Sequence, residues 1–144
     1  MRYYLLILLL GFLLCGPAIA AEEIAIVKQV QGAVSMKRAG EILAVRQRDK
    51  LQAGDILMTG ANAQVGVIFH DGSVLSLEEK SFLRIEEFIF QPIENKFNFK
   101  LYLKKGAALF ESGKIGTLSP ESFSFGIPAG TIGIRGTKFL VEVR

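Results

Sequence analysis

Side chains able to do chemistry are few and scattered in this chain. His70 is its only histidine and Cys15 its only cysteine. A nucleophile activated by a base therefore has one base available, and a third group must orient that base. His70 precedes Asp71-Gly72, on the shoulder of an expected hairpin, where nothing is marked to hold it. Zinc takes three or four Cys, His or carboxylate ligands, more than this set suggests. Carboxylates are numerous, and glycoside cleavage uses two of them at a set separation. Here, though, Glu78-Glu79 and Glu86-Glu87 would put one acid on each face of a strand, as turns and bulges do. Asp55 and Glu111 are candidates for a buried pair with Arg135. The segment from Gly130 to Thr137 is glycine-rich but does not join a strand to a helix, so it is no phosphate or dinucleotide loop. Within it Arg135 lies between Gly133 and Gly136, where it either bonds carbonyls freed by a bend or faces a partner. The expectation is a protein with no catalytic residues, no metal and no cofactor.

The elements that must position these residues come from the whole chain of 144 residues, half of them apolar, with 15 glycines and 4 prolines. That is one domain's length and too apolar for disorder. The net charge of +3 arises from 17 basic and 14 acidic residues. They are interspersed along the chain, and no clustered basic face of the kind nucleic acids select is legible. Met1-Arg2, the apolar run Tyr3 to Leu14, the break at Gly16-Pro17 and the small residues of Ala18-Ile19-Ala20 have the layout of a signal peptide, cleaved after Ala20. The alternative is an uncleaved membrane anchor. Lipid attachment at Cys15 is disfavoured by the large Leu14 before it. Residues 1–20 are thus read as the export signal and 21–144 as an exported domain, soluble after cleavage and free of cysteine and tryptophan. Without disulfides such a domain depends on its core, for which ten phenylalanines remain.

Period-2 alternation dominates the rest. Strands are expected from Ile24 to Val30, through Val34 and Met36, at 42–45, at 56–59, and on both sides of Asp71-Gly72. That pair suits a two-residue type I′ turn, which would set Phe69 opposite Val74 and Ile68 opposite Leu75, with apolar residues on both faces. Leu83 and Ile85 are out of phase with Phe88 and Phe90, and a bulge near Glu86-Glu87 would restore one face. Phe97, Phe99, Leu101 and Leu103 alternate cleanly. Lys104-Lys105-Gly106 reads as a turn into a strand at 107–111, Gly113 and Gly116 bracket another turn, and strands follow at 123–125, 131–134 and 139–143. About ten short strands make an all-β fold, a β-sandwich or barrel-like roll.

Three blocks in series resemble the FecR domain family: 51–60, with Gly54, Asp55, Thr59 and Gly60; 67–77, with Asp71, Gly72 and Ser73; and 127–139, with Pro128, Gly133, Arg135, Gly136 and Thr137. The resemblance implies a periplasmic all-β module. The best-known members of the family are sensors that pass a signal from an outer-membrane transporter to a cytoplasmic sigma factor. This chain shows no cytoplasmic part of that kind, so a stand-alone module is expected. It would bind another envelope protein, in signalling or envelope assembly, through Arg135 and a last strand carrying Phe139, Val141 and Val143. The alternative is a module for peptidoglycan or another envelope glycan.

Overall fold

The alternating segments pair into strands in the computed structural model, which describes residues 16–17, 21–134 and 137–144. The expected signal peptide, apart from residues 16–17, lies outside the described residues, as do Arg135 and Gly136. In chain order the elements are β1 (Glu23–Gln31), β2 (Val34–Arg38), β3 (Glu41–Ala44), β4 (Lys50–Gln52), β5 (Ile56–Thr59), β6 (Gln64–Phe69), β7 (Val74–Leu77), β8 (Phe82–Gln91), β9 (Lys96–Glu111), a short helix α1 (Lys114–Leu118), β10 (Phe123–Ile127), β11 (Gly130–Ile132) and β12 (Lys138–Val143). The strands form one curled, mostly antiparallel sheet, a half-barrel, in the order β3-β2-β5-β8-β9-β7-β6-β1-β4.

One strand sets the architecture. β9 pairs through its first half with β8 and, in parallel, with β10; through its second half it pairs with β7 and β12. The turn expected at Lys104 to Gly106 does not exist. Gly106, at φ +96°, lets the strand bend and continue. Two further segments differ from expectation in the same local way. Residues 50–52 of an expected turn pair with β1 as β4, and the turn between Gly113 and Gly116 closes as helix α1.

The concave face is the core. Phe69, Phe88, Phe99, Phe110, Phe123, Phe125 and Phe139 form a continuous chain of ring contacts with centroids 4.7–6.4 Å apart. Each buried ring contributes about 1.5–3 kcal/mol. The phase slip in β8 resolves as expected: its register shifts between Ile85 and Glu87, so Leu83, Ile85 and Phe88 are all buried and Phe90 packs against the same core.

The β6–β7 hairpin forms where expected but with a different turn. Gly72 N–H donates to Phe69 C=O at 2.9 Å, Phe69 N–H donates to Ser73 C=O at 2.9 Å, and only Gly72 has positive φ, +86°. This is a three-residue loop, His70 to Gly72, with a type I turn and a glycine bulge. The register moves by one accordingly, pairing Ile68 with Val74 and Val67 with Leu75. Val65, Val67, Phe69, Leu75 and Leu77 then share the buried face, and the other face is half-covered. A Cβ at Gly72 would meet nothing within 4 Å, so the cost of replacing it is conformational alone. Gly72→Ala should lower stability by about 1 kcal/mol, and Gly72→Asn by less, because asparagine tolerates the left-handed region. Urea unfolding of both variants checks the order.

Candidate functional site

The buried polar residues of the family-like blocks act as fasteners. The Asp55 side chain, 1% exposed, accepts Arg38 Nε at 2.9 Å on Oδ1, and Arg38 Nη2 at 2.7 Å and the Gln52 N–H at 2.8 Å on Oδ2. Gly54 N–H donates to Ile85 C=O at 2.7 Å and Ile85 N–H returns a bond to Asp55 C=O at 2.9 Å. One turn thereby joins β2, β4, β5 and β8. The partner of Asp55 is Arg38; of the group expected to pair with it, Glu111 is exposed and Arg135 lies outside the described residues. The Asp55 hydrogen bond raises the pKa of the Arg38 guanidinium above its ordinary value, as a charge-assisted fork does.

Thr59 and Gly60 fasten the next corner. Thr59 Oγ1 donates to Glu78 C=O at 2.6 Å and accepts the Ser81 N–H at 2.8 Å, while Gly60 N–H donates to Ala33 C=O at 2.9 Å. Asp71 and Ser73 form the third. Asp71 Oδ1 accepts the Ser73 N–H at 2.9 Å; Oδ2 accepts Ser73 Oγ–H at 2.8 Å and the Ile115 N–H at 3.3 Å; Ser73 Oγ accepts the Gly113 N–H at 2.8 Å. The hairpin is thus tied to the start of α1. In the last block Pro128 occupies the exposed turn between β10 and β11, Gly133 is exposed, and Thr137 C=O accepts the Ser112 N–H at 2.7 Å.

These assignments leave little reactive chemistry among the described residues. His70 is 45% exposed, with Nε2 3.8 Å from a Glu23 oxygen. No three His, Cys, Asp or Glu side chains there converge as metal ligands do.

The last strand is arranged differently from a row of binding side chains. Phe139 packs tilted against Phe110 and edge-on to Phe125, Val141 is buried, and Val143 packs against the core. These three side chains serve the core, and what the strand leaves free among the described residues is its backbone edge. β12 pairs with β9 and, among the described residues, with nothing on its other side. The Ser112–Thr137 bond sets the phase of that ladder. Residues 139, 141 and 143 bond to β9, while Lys138, Leu140 and Glu142 direct their N–H and C=O groups outward. Leu140, 68% exposed, lies on that outer strand.

A second feature escaped the sequence reading. Arg38, Arg46, Arg48 and Lys50 line one groove of about 620 Å³ beside β3, so the charges that are interspersed along the chain do cluster in space. The alternation Arg46, Arg48, Lys50 was the available signal.

No helix among the described residues is long and apolar enough to cross a membrane. Residues 55–144 match the family described as "FecR protein". No curated protein and no solved structure matches the chain.

Proposed function

The chain belongs to the FecR protein family, and we propose that it is a non-catalytic periplasmic module that binds another envelope protein, in signalling or in envelope assembly. The observation that carries this reading is the outward edge of β12. Three residues whose outward ladder groups are unpaired among the described residues, Lys138, Leu140 and Glu142, are a template for an added strand. The charged Lys138 and Glu142 discourage indiscriminate pairing, and Leu140 between them gives a matched strand an apolar contact. The non-catalytic part of the proposal is supported by the use of Asp55, Asp71, Ser73 and Thr59 in holding turns together.

Amide exchange on the domain alone should show Lys138, Leu140 and Glu142 exchanging fast and Phe139, Val141 and Val143 slowly. Leu140→Pro removes one outward N–H and no bond to β9, a change that edge strands tolerate. A specific envelope protein recovered by the wild-type domain should therefore be lost with Leu140→Pro. Uniform protection along β12, or recovery indifferent to Leu140→Pro, would move the binding surface elsewhere.

A further inference from the structure

We propose that β3 is a second docking edge, one that takes an extended segment of a partner protein in which carboxylate and apolar side chains alternate. The inference does not depend on β12, which lies at a different edge of the sheet.

β3 ends the strand order and pairs with β2 alone among the described residues. Ala39 and Gly40, at φ 50° and 81°, make the two-residue turn that closes Arg38 and Glu41 as a hydrogen-bonded pair. Val45 N–H donates to Val34 C=O at 2.9 Å in the same phase. Ile42 and Ala44 must then direct their N–H and C=O groups away from β2. An extended peptide supplies groups at the spacing that matches them.

The two sides of this edge differ in chemistry. On the inner side, Met36, Leu43 and Ala44 line the groove together with Arg38, Arg46, Arg48, Lys50 and a single acid, Asp49. Arg38 is held by Asp55, and Lys50 lies 3.1 Å from Glu23. Arg46 and Arg48 have no carboxylate partner among the described residues; Asp49 Oδ2 accepts the backbone N–H of Arg46 instead. On the outer side, Ile42, Ala44 and Met58 line a largely apolar groove of about 640 Å³, with Ile42 67% exposed. A strand added to β3 projects alternate side chains to these two sides. Acids would meet the arginines and apolar residues would meet Ile42.

Arg48 supplies an independent argument. It sits at φ +75°, a conformation that favours glycine or asparagine. Its loop is pinned by Arg48 N–H to Val27 C=O at 2.8 Å and Val27 N–H to Asp49 C=O at 2.9 Å. The fold would accept a glycine there at less cost, and what the arginine adds is a guanidinium at the groove. Arginine forks match carboxylates.

The test is a nuclear magnetic resonance titration of the domain with a capped eight-residue peptide alternating Glu and Val. Shifts should centre on the amides of Ile42, Ala44, Arg46 and Arg48. The double variant R46E/R48E should weaken binding by about tenfold or more, and added salt should weaken it in the wild type. A peptide alternating Lys and Val should not bind. Both arginines are exposed, so the variant's own spectrum verifies its fold, and Ile42→Pro tests the ladder separately. No binding, shifts confined to another surface, or an affinity indifferent to R46E/R48E would each overturn the proposal. So would co-sedimentation with phosphatidylglycerol vesicles that R46E/R48E abolishes while the Glu-Val peptide fails to bind, since the groove would then serve lipid.

Discussion

Gly106→Ala should lower the stability of the fold by about 4 kcal/mol. Two costs combine. An L-residue at φ +96° is strained by about 1–3 kcal/mol. In addition, a Cβ at this position overlaps the Cα, Cβ and Oγ of Ser81, which is 2% exposed and hemmed in by β5 and β9. Overpacking of that kind costs about another 1–3 kcal/mol. Ser81 cannot move aside without breaking bonds, because its N–H donates to Thr59 Oγ1 at 2.8 Å and its Oγ accepts the Ala107 N–H at 3.1 Å. For a domain of this size the melting temperature should fall by about 15 °C. Gly54→Ala is the control: φ is +92° there but a Cβ would touch nothing within 4 Å, so only the conformational cost, about 1–3 kcal/mol, should appear. Equal losses at the two sites would mean that β9 does not press against Ser81 at its bend.

The same bend shows which parts of the fold were legible in the sequence. Alternation and glycine placement located nearly every strand, and the phase slip between Ile85 and Phe88 located the bulge in β8, because those signals are local. Lys104-Lys105-Gly106 looked like a turn for an equally local reason. What keeps the strand running is Ser81, 26 residues before Ala107, whose side chain takes up the Ala107 N–H. The turn at Asp71-Gly72 was misjudged in the same way, since the aspartate fits a type I′ turn by composition but is held in another shape by α1.

The candidate sites divide along the same line. A last strand with one alternating face could be read directly from residues 138–143, but that its apolar residues serve the core and its edge stays open depends on the register with β9. The basic groove needed the β2–β3 hairpin to bring Arg38 against residues 46–50. Asp55 was legible as a turn residue, whereas its partner Arg38, 17 positions away, was not.

Asp71→Ala should be the second large loss, about 4 kcal/mol, and its pattern identifies what the family-like aspartate does. The carboxylate is 1% exposed and accepts from Ser73 N–H, Ser73 Oγ–H and Ile115 N–H. Hydrogen bonds to a charged group are worth about 1.5–3 kcal/mol each, and buried donors left without an acceptor cost about 1–3 kcal/mol. Truncation strands donors on both the hairpin and α1. Gly113 packs closely against the turn, since a Cβ there would overlap the backbone of residues 71–73. Asp71→Asn keeps the acceptor for the Ser73 N–H but turns one oxygen into a donor facing other donors, so its loss should be intermediate. The readout beyond stability is exchange of the Ile115 and Gly113 amides, which should quicken in both variants while β8 stays protected. A turn that merely prefers aspartate by composition predicts the reverse: Asp71→Asn indistinguishable from wild type, and amides near α1 unmoved.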